Sequence, residues 1–133
     1  MLSKIRQDVT AESSRNGARR EWYHSENGDL FVWRRDRDIV SFQISCLSLF
    51  RGERNECWGE WDGRSFRTGF VNSKEVDGRE HDIKTPVVDV TTADSSAIRK
   101  ALAGFLQAEG AGLPSDVLGR LTEHLRSTRR ASR

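Results

Sequence analysis

Between Glu21 and Val71 apolar and polar residues alternate almost without interruption, and polar turn signals break the alternation at regular intervals. A period of two is the mark of a strand with one face buried, so this region is predicted to form successive antiparallel strands. WYHS leads into Asn27-Gly28, the strongest short-range hairpin signal, and then into DLFVWRR. Pairing about that dipeptide sets Trp22 opposite Trp33 and His24 opposite Phe31, all on one face. A polar turn near Asp36-Arg37 precedes IVSFQISCLSLF, in which Val40, Phe42, Ile44 and Cys46 alternate with polar residues. A turn at Arg51-Gly52-Glu53-Arg54 opens the next strand.

That strand, ECWGEW, contains two tryptophans three residues apart, so their rings point to opposite faces. With Asp62-Gly63 as the turn, Trp61 pairs with Arg64, Gly59 with Phe66 and Trp58 with Arg67. Cys57, Gly59, Trp61, Phe66 and Phe70 then share the face of Phe42 and Cys46, and Gly59 leaves room for the Phe66 ring. Trp61 is expected in the core. Trp58, between Glu56 and Glu60, is expected on the other face.

After a polar loop over residues 72–84, TPVVDV reads as a last edge strand, because Pro86 has no amide to donate. Asp94-Ser95-Ser96 then caps a helix with Ile98, Ala101, Leu102, Phe105 and Leu106 on one stripe, stopped at Gly110. Pro114-Ser115-Asp116 begins a second helix with Val117, Leu118, Leu121 and Leu125 inward. Strands followed by helices indicate an α+β fold: a five- to six-stranded antiparallel meander with two C-terminal helices on its aromatic face. At 133 residues the chain suffices for one domain. The expected division is a loosely attached segment over 1–19, with at most a weak helix through Leu2, Ile5 and Val9, a domain over 20–126 and a basic tail over 127–133. The run DLFVW, then IVSFQIS, CWGEW and TPVV ahead of two helices, resembles a family of small uncharacterised bacterial proteins, across roughly residues 22–90. That resemblance implies the fold and no activity.

Charge is unevenly distributed. Residues 1–20 and 121–133 each carry a net of +3, whereas 21–120 carry −4. The basic ends suit weak binding to nucleic acid, but the sheet region is acidic and Glu56 and Glu60 flank the outward tryptophan. Nucleic acid is therefore not the expected partner. No apolar run approaches the ~20 residues of a membrane span, and the first residues hold no signal-like apolar stretch. With only Cys46 and Cys57, a reducing, cytoplasmic setting is expected.

Motifs for chemistry are sparse. The three histidines, His24, His81 and His124, lie far apart, and no CxxC, HxxxH or phosphate-binding glycine pattern occurs, so neither metal nor cofactor is expected. Cys46 and Cys57 read as buried apolar thiols. Glu80-His81-Asp82, in the 72–84 loop, offers His81 as an acid or base oriented by a carboxylate, which would suit a small-ligand binder or an enzyme. The remaining signal is the second sheet face. By the expected parity it presents Tyr23, Leu30, Val32, Ile39, Leu47, Leu49 and Trp58 among polar residues, more apolar than a solvated face requires. The prediction is a non-catalytic interaction protein, a homodimer or the complement of another protein, with Trp58, Leu47, Leu49, Val32 and Arg67 at the contact.

Overall fold

The computed structural model describes residues 1–5, 17–50, 52–72 and 92–126. Among the described residues six strands lie in the order of the chain: β1 (Ser3–Lys4), β2 (Arg19–Ser25), β3 (Gly28–Arg35), β4 (Asp38–Phe50), β5 (Glu53–Trp61) and β6 (Phe66–Asn72). Every neighbouring pair is antiparallel. Helices α1 (Thr92–Glu109) and α2 (Ser115–Leu125) follow and pack on one face. This is the α+β meander that the alternation predicts. The TPVVDV stretch and the tail over 127–133 lie outside the described residues.

The core lies between that face and the helices. Tyr23, Leu30, Val32, Ile39, Phe42, Ile44, Cys46 and Cys57 meet Ile98, Leu102, Phe105 and Leu106 of α1 and Val117, Leu121 and Leu125 of α2. The helical stripes are those the periodicity marks. At the chain start, within the segment expected to be loosely attached, Ser3 and Lys4 form a strand against β2. The Leu2 amide donates to the Glu109 carbonyl at 2.8 Å and its side chain is buried in the core, so residues 1–5 are docked.

Two turns differ from the expected ones, each for a local reason. Glu26 and Asn27, not Asn27-Gly28, form the first turn, and Gly28 already pairs with Ser25. A Cβ on Gly28 would come within 2.7 Å of the Phe105 ring and closer still to the Ser45 carbonyl, so the glycine serves close packing instead of the turn. Between β5 and β6 the connection is a four-residue loop. The Asp62 carboxylate accepts the amides of Arg64 and Ser65 at 2.9 and 3.0 Å, which closes the loop one step earlier and pairs Trp61 with Phe66. Each difference moves the pairing by two residues, so the faces within each hairpin are unchanged. Gly59 still makes room for Phe66, whose ring tip lies 2.7 Å from where a Cβ would stand.

A third difference has larger consequences. Between β3 and β4, Trp33 pairs with Ser41 while Arg34 pairs with Ile39, so Val40 is the extra residue of a bulge. One added residue exchanges the faces of everything beyond it. Val32 therefore pairs with Phe42 and Leu30 with Ile44 on the helix-covered face, while Trp22, Phe31 and Trp33 move to the outer face. The expected sidedness of β2 and β3 is corrected by that bulge.

Candidate interaction face

The register places the outer face in rows across the strands. Arg20, Trp33 and Ser41 form one row. Trp22, Phe31, Gln43, Glu60 and Arg67 form the next, and His24, Asp29, Ser45, Trp58 and Gly69 the third. Leu47, Glu56 and Val71 follow, and Leu49 with Arg54 ends the face.

The aromatic residues are ordered by their neighbours. Trp22 and Phe31 are directly opposite and stack at 5.6 Å with 21° between the rings. Phe31 also meets Trp33 at 6.3 Å, and the Arg20 guanidinium stands 4.7 Å above its ring. Asp29 holds the row's edge, accepting from Trp22 Nε1 at 2.9 Å and lying 2.7 Å from His24 Nδ1.

Trp58 is on the outer face, as its parity predicts, but it is 7% exposed. Its indole lies flat over Gly69, where a Cβ would be 2.4 Å from Cζ2. Arg67, expected against Trp58, instead pairs with Glu60 at 2.9 Å, because the longer loop sets it one step away. Val32 is removed from this face by the bulge and is fully buried under the helices. Leu47 remains here, half-buried, and Leu49 is 79% exposed. β4 and β5 run past the end of β3, so these two leucines sit on a projecting hairpin. The loop residues His81, Glu80 and Asp82 lie outside the described residues.

Other groups with chemical potential are accounted for by packing. Cys46 and Cys57 are direct cross-strand partners beneath α1. Burial pushes the Cys46 thiol up to about 12, with the neighbouring Cys57 adding to the effect, and the Cys57 thiol up to about 11. Neither supplies thiolate near neutral pH. Ellman's reagent at pH 8 is expected to leave both thiols unmodified until denaturant is added; release of two equivalents from the native protein would contradict their burial. His24 is on the opposite side of the sheet and takes no part with them.

Sequence reasoning missed a polar cluster at the edge of the helix-covered face. Glu21 is buried and accepts from Tyr23 Oη at 3.0 Å and from Arg34 Nε at 3.1 Å. Arg34 also donates to both carboxylate oxygens of Asp116, at 2.7 and 3.3 Å. These contacts fasten the first turn of α2 to β2 and β3. The bond to Asp116 is the main reason the Arg34 guanidinium is held above its ordinary value, and the same bond holds the Asp116 carboxyl below its own. Burial and the Glu21 carboxylate raise the Tyr23 phenol. Since Glu21 and Arg34 are 13 residues apart, only the strand register could have revealed them.

A second unforeseen group surrounds His124. Its ring lies 4.5 Å from Trp61, 5.6 Å from Phe42 and 6.0 Å from Phe66. Burial lowers its pKa, favouring the neutral imidazole. Arg99 stands 4.6 Å over Phe66 and donates to the His124 carbonyl at 2.5 Å, where a cation suits the end of α2. Trp61 is thus on the helix-covered face as predicted, though it closes the rim of the core and keeps partial exposure.

A groove of ≈ 400 Å³ runs between α1 and α2, lined by Leu106, Leu118 and Leu125 with Gln107, Thr122 and Arg126 among others. Among the described residues no group of three or more His, Cys, Asp or Glu is arranged to hold a metal, and no helix is long and apolar enough to cross a membrane. Comparison of the chain with protein-family models, with curated proteins and with solved structures returned no match.

Proposed function

We propose that this chain is a non-catalytic binding protein that self-associates through the outer sheet face, at the projecting end that carries Leu47 and Leu49. The observation that carries this reading is Leu49, a large aliphatic side chain held in water on a regular strand beside a second leucine. An apolar pair at a rigid hairpin end is an inexpensive anchor for an interface, because the strand backbone is already ordered.

The occupant that fits best is a second copy. Arg54 and Glu56 alternate on β5 beside the two leucines, opposite Leu49 and Leu47 respectively. A two-fold axis through this end would set Leu49 on its symmetry mate and bring Arg54 of each copy toward Glu56 of the other, the self-complementarity that an isologous contact requires. The pair of buried thiols suits a reducing, cytoplasmic setting.

Native mass spectrometry and sedimentation velocity over a wide concentration range test the reading. A concentration-dependent dimer is expected. Leu49→Asp should weaken it at least tenfold, by burying a charge at the contact, while the monomer's melting temperature stays nearly unchanged. A chain that is monomeric throughout, or a dimer indifferent to Leu49→Asp, would overturn it.

A further inference from the structure

The opposite end of the outer face carries a different signal. Arg20 has its Nε shut off from solvent with no hydrogen-bond partner, and among the described residues no carboxylate pairs with its guanidinium. Burial lowers its pKa, the expected consequence of removing water without supplying a counter-charge. In the same row, Ser41 is 3% exposed and its Oγ is also without a partner. Buried polar groups are nearly always satisfied, and each exception calls for a cause. Here two exceptions stand in one row, separated by the single strand β3, with a cation at one end and a neutral hydroxyl at the other.

Both groups are hydrogen-bond donors, and two strand spacings, about 10 Å, separate their backbones. The guanidinium is positioned above Phe31 on β3, the strand adjoining Ser41, and Arg side chains favour planar acceptors that take two parallel hydrogen bonds. A carboxylate meets that geometry. Beside it, the partly buried Trp22 and Phe31 offer a flat apolar surface already organised by their stacking. Glu60, the acid in the neighbouring row, is occupied by Arg67 and does not neutralise Arg20.

We propose that Arg20 and Ser41 form the anion-binding end of a site for a small aromatic carboxylate, whose ring packs against Trp22 and Phe31. Arg20 pairs with the carboxylate, Ser41 donates its hydroxyl to it, and Trp33 stands between them in the row. The site is separate from the proposed self-association contact. Ser41 and Leu49 are eight residues apart on β4, a span of roughly 26 Å.

Titration of the full chain with benzoate, read by tryptophan fluorescence and by melting temperature, tests this directly. Benzamide serves as the neutral isostere and acetate as the anion without a ring. Benzoate is expected to quench fluorescence and raise the melting temperature, with benzamide and acetate each at least tenfold weaker. Arg20→Met keeps the aliphatic stem over Phe31 and should weaken benzoate by about tenfold or more, the scale of a charge-assisted hydrogen bond. Ser41→Ala should weaken it by a smaller factor, and Leu49→Asp should leave it unchanged. No response to benzoate, an equal response to benzamide, or an undiminished response in Arg20→Met would overturn the proposal. Acetate binding as tightly as benzoate would overturn the aromatic half of it. Loss of dimerisation in Leu49→Asp with benzoate binding intact would separate this site from the interface.

Discussion

Trp58→Ala is expected to destabilise the fold by about 3–5 kcal/mol, the usual cost of emptying a large buried aromatic site. The indole is almost wholly enclosed although it lies on the face away from the helices, and it covers Gly69 on the adjacent strand. That contact can be probed from both sides. Gly69→Ala would place a Cβ 2.4 Å from Cζ2, so the ring must shift, at a cost of about 1–3 kcal/mol. In the Trp58→Ala background the same glycine change should cost much less, because the obstructing ring is gone. Urea denaturation of the four proteins gives the coupling energy directly. Trp58→Phe should be milder than Trp58→Ala, since the indole Nε1 has no partner to lose. A Trp58→Ala protein within about 1 kcal/mol of the parent would refute the enclosed position.

Arg34→Met is expected to cost about 3 kcal/mol or more, because it leaves the buried Glu21 carboxylate without its close cation. Lys4 and Arg19 approach Glu21 only to 4.0 Å and from exposed positions, so they are poor substitutes. The change also frees Asp116 and with it the start of α2. Adding Glu21→Gln to Arg34→Met should restore part of the loss by removing the uncompensated charge. Denaturant midpoints at neutral pH read both effects. The pH dependence supplies an independent check. With Arg34 present, the Asp116 carboxyl is held below its ordinary 3.8, so its contribution to stability is present above that value and lost as the pH falls toward the lowered one. In Arg34→Met the acid limb of the stability profile should flatten accordingly. An Arg34→Met protein as stable as the parent would show that the cluster does not fasten α2 to the sheet.

The two tryptophans of ECWGEW illustrate how far a period of two can be trusted. Their opposite sidedness, with Trp61 toward the helices and Trp58 away, follows from strand geometry and is found. Their degrees of burial do not follow from it. Trp61, on the core side, sits at the rim beside His124, while Trp58, on the outer side, is enclosed, with its ring against Gly69. Alternation reports direction, whereas exposure depends on the neighbours across the strand. Those neighbours differ by two residues from the pairing that Asn27-Gly28 and Asp62-Gly63 predict at their hairpins.

By itself the sequence determined the order of β2 to β6 and the two helices, the apolar stripes of α1 and α2, and which residues share a face within the β2–β3, β4–β5 and β5–β6 hairpins. These properties depend on local periodicity and on capping and turn chemistry, which are written in neighbouring residues. Only the tertiary structure decided which face of β2 and β3 meets the helices. A single extra residue, Val40, exchanges the two sides at no visible cost in the pattern, since both faces of these strands are apolar. That one step buried Val32, set Trp22, Phe31 and Trp33 on the outer face with Arg20, and brought Glu21 and Arg34 under the start of α2. Leu47 and Leu49 were legible in the alternation, whereas the Arg20–Ser41 row and the Glu21–Arg34 cluster were illegible for one physical reason. They are built from residues on different strands, and the register that joins them is selected by packing against Gly28, Gly69 and the helices.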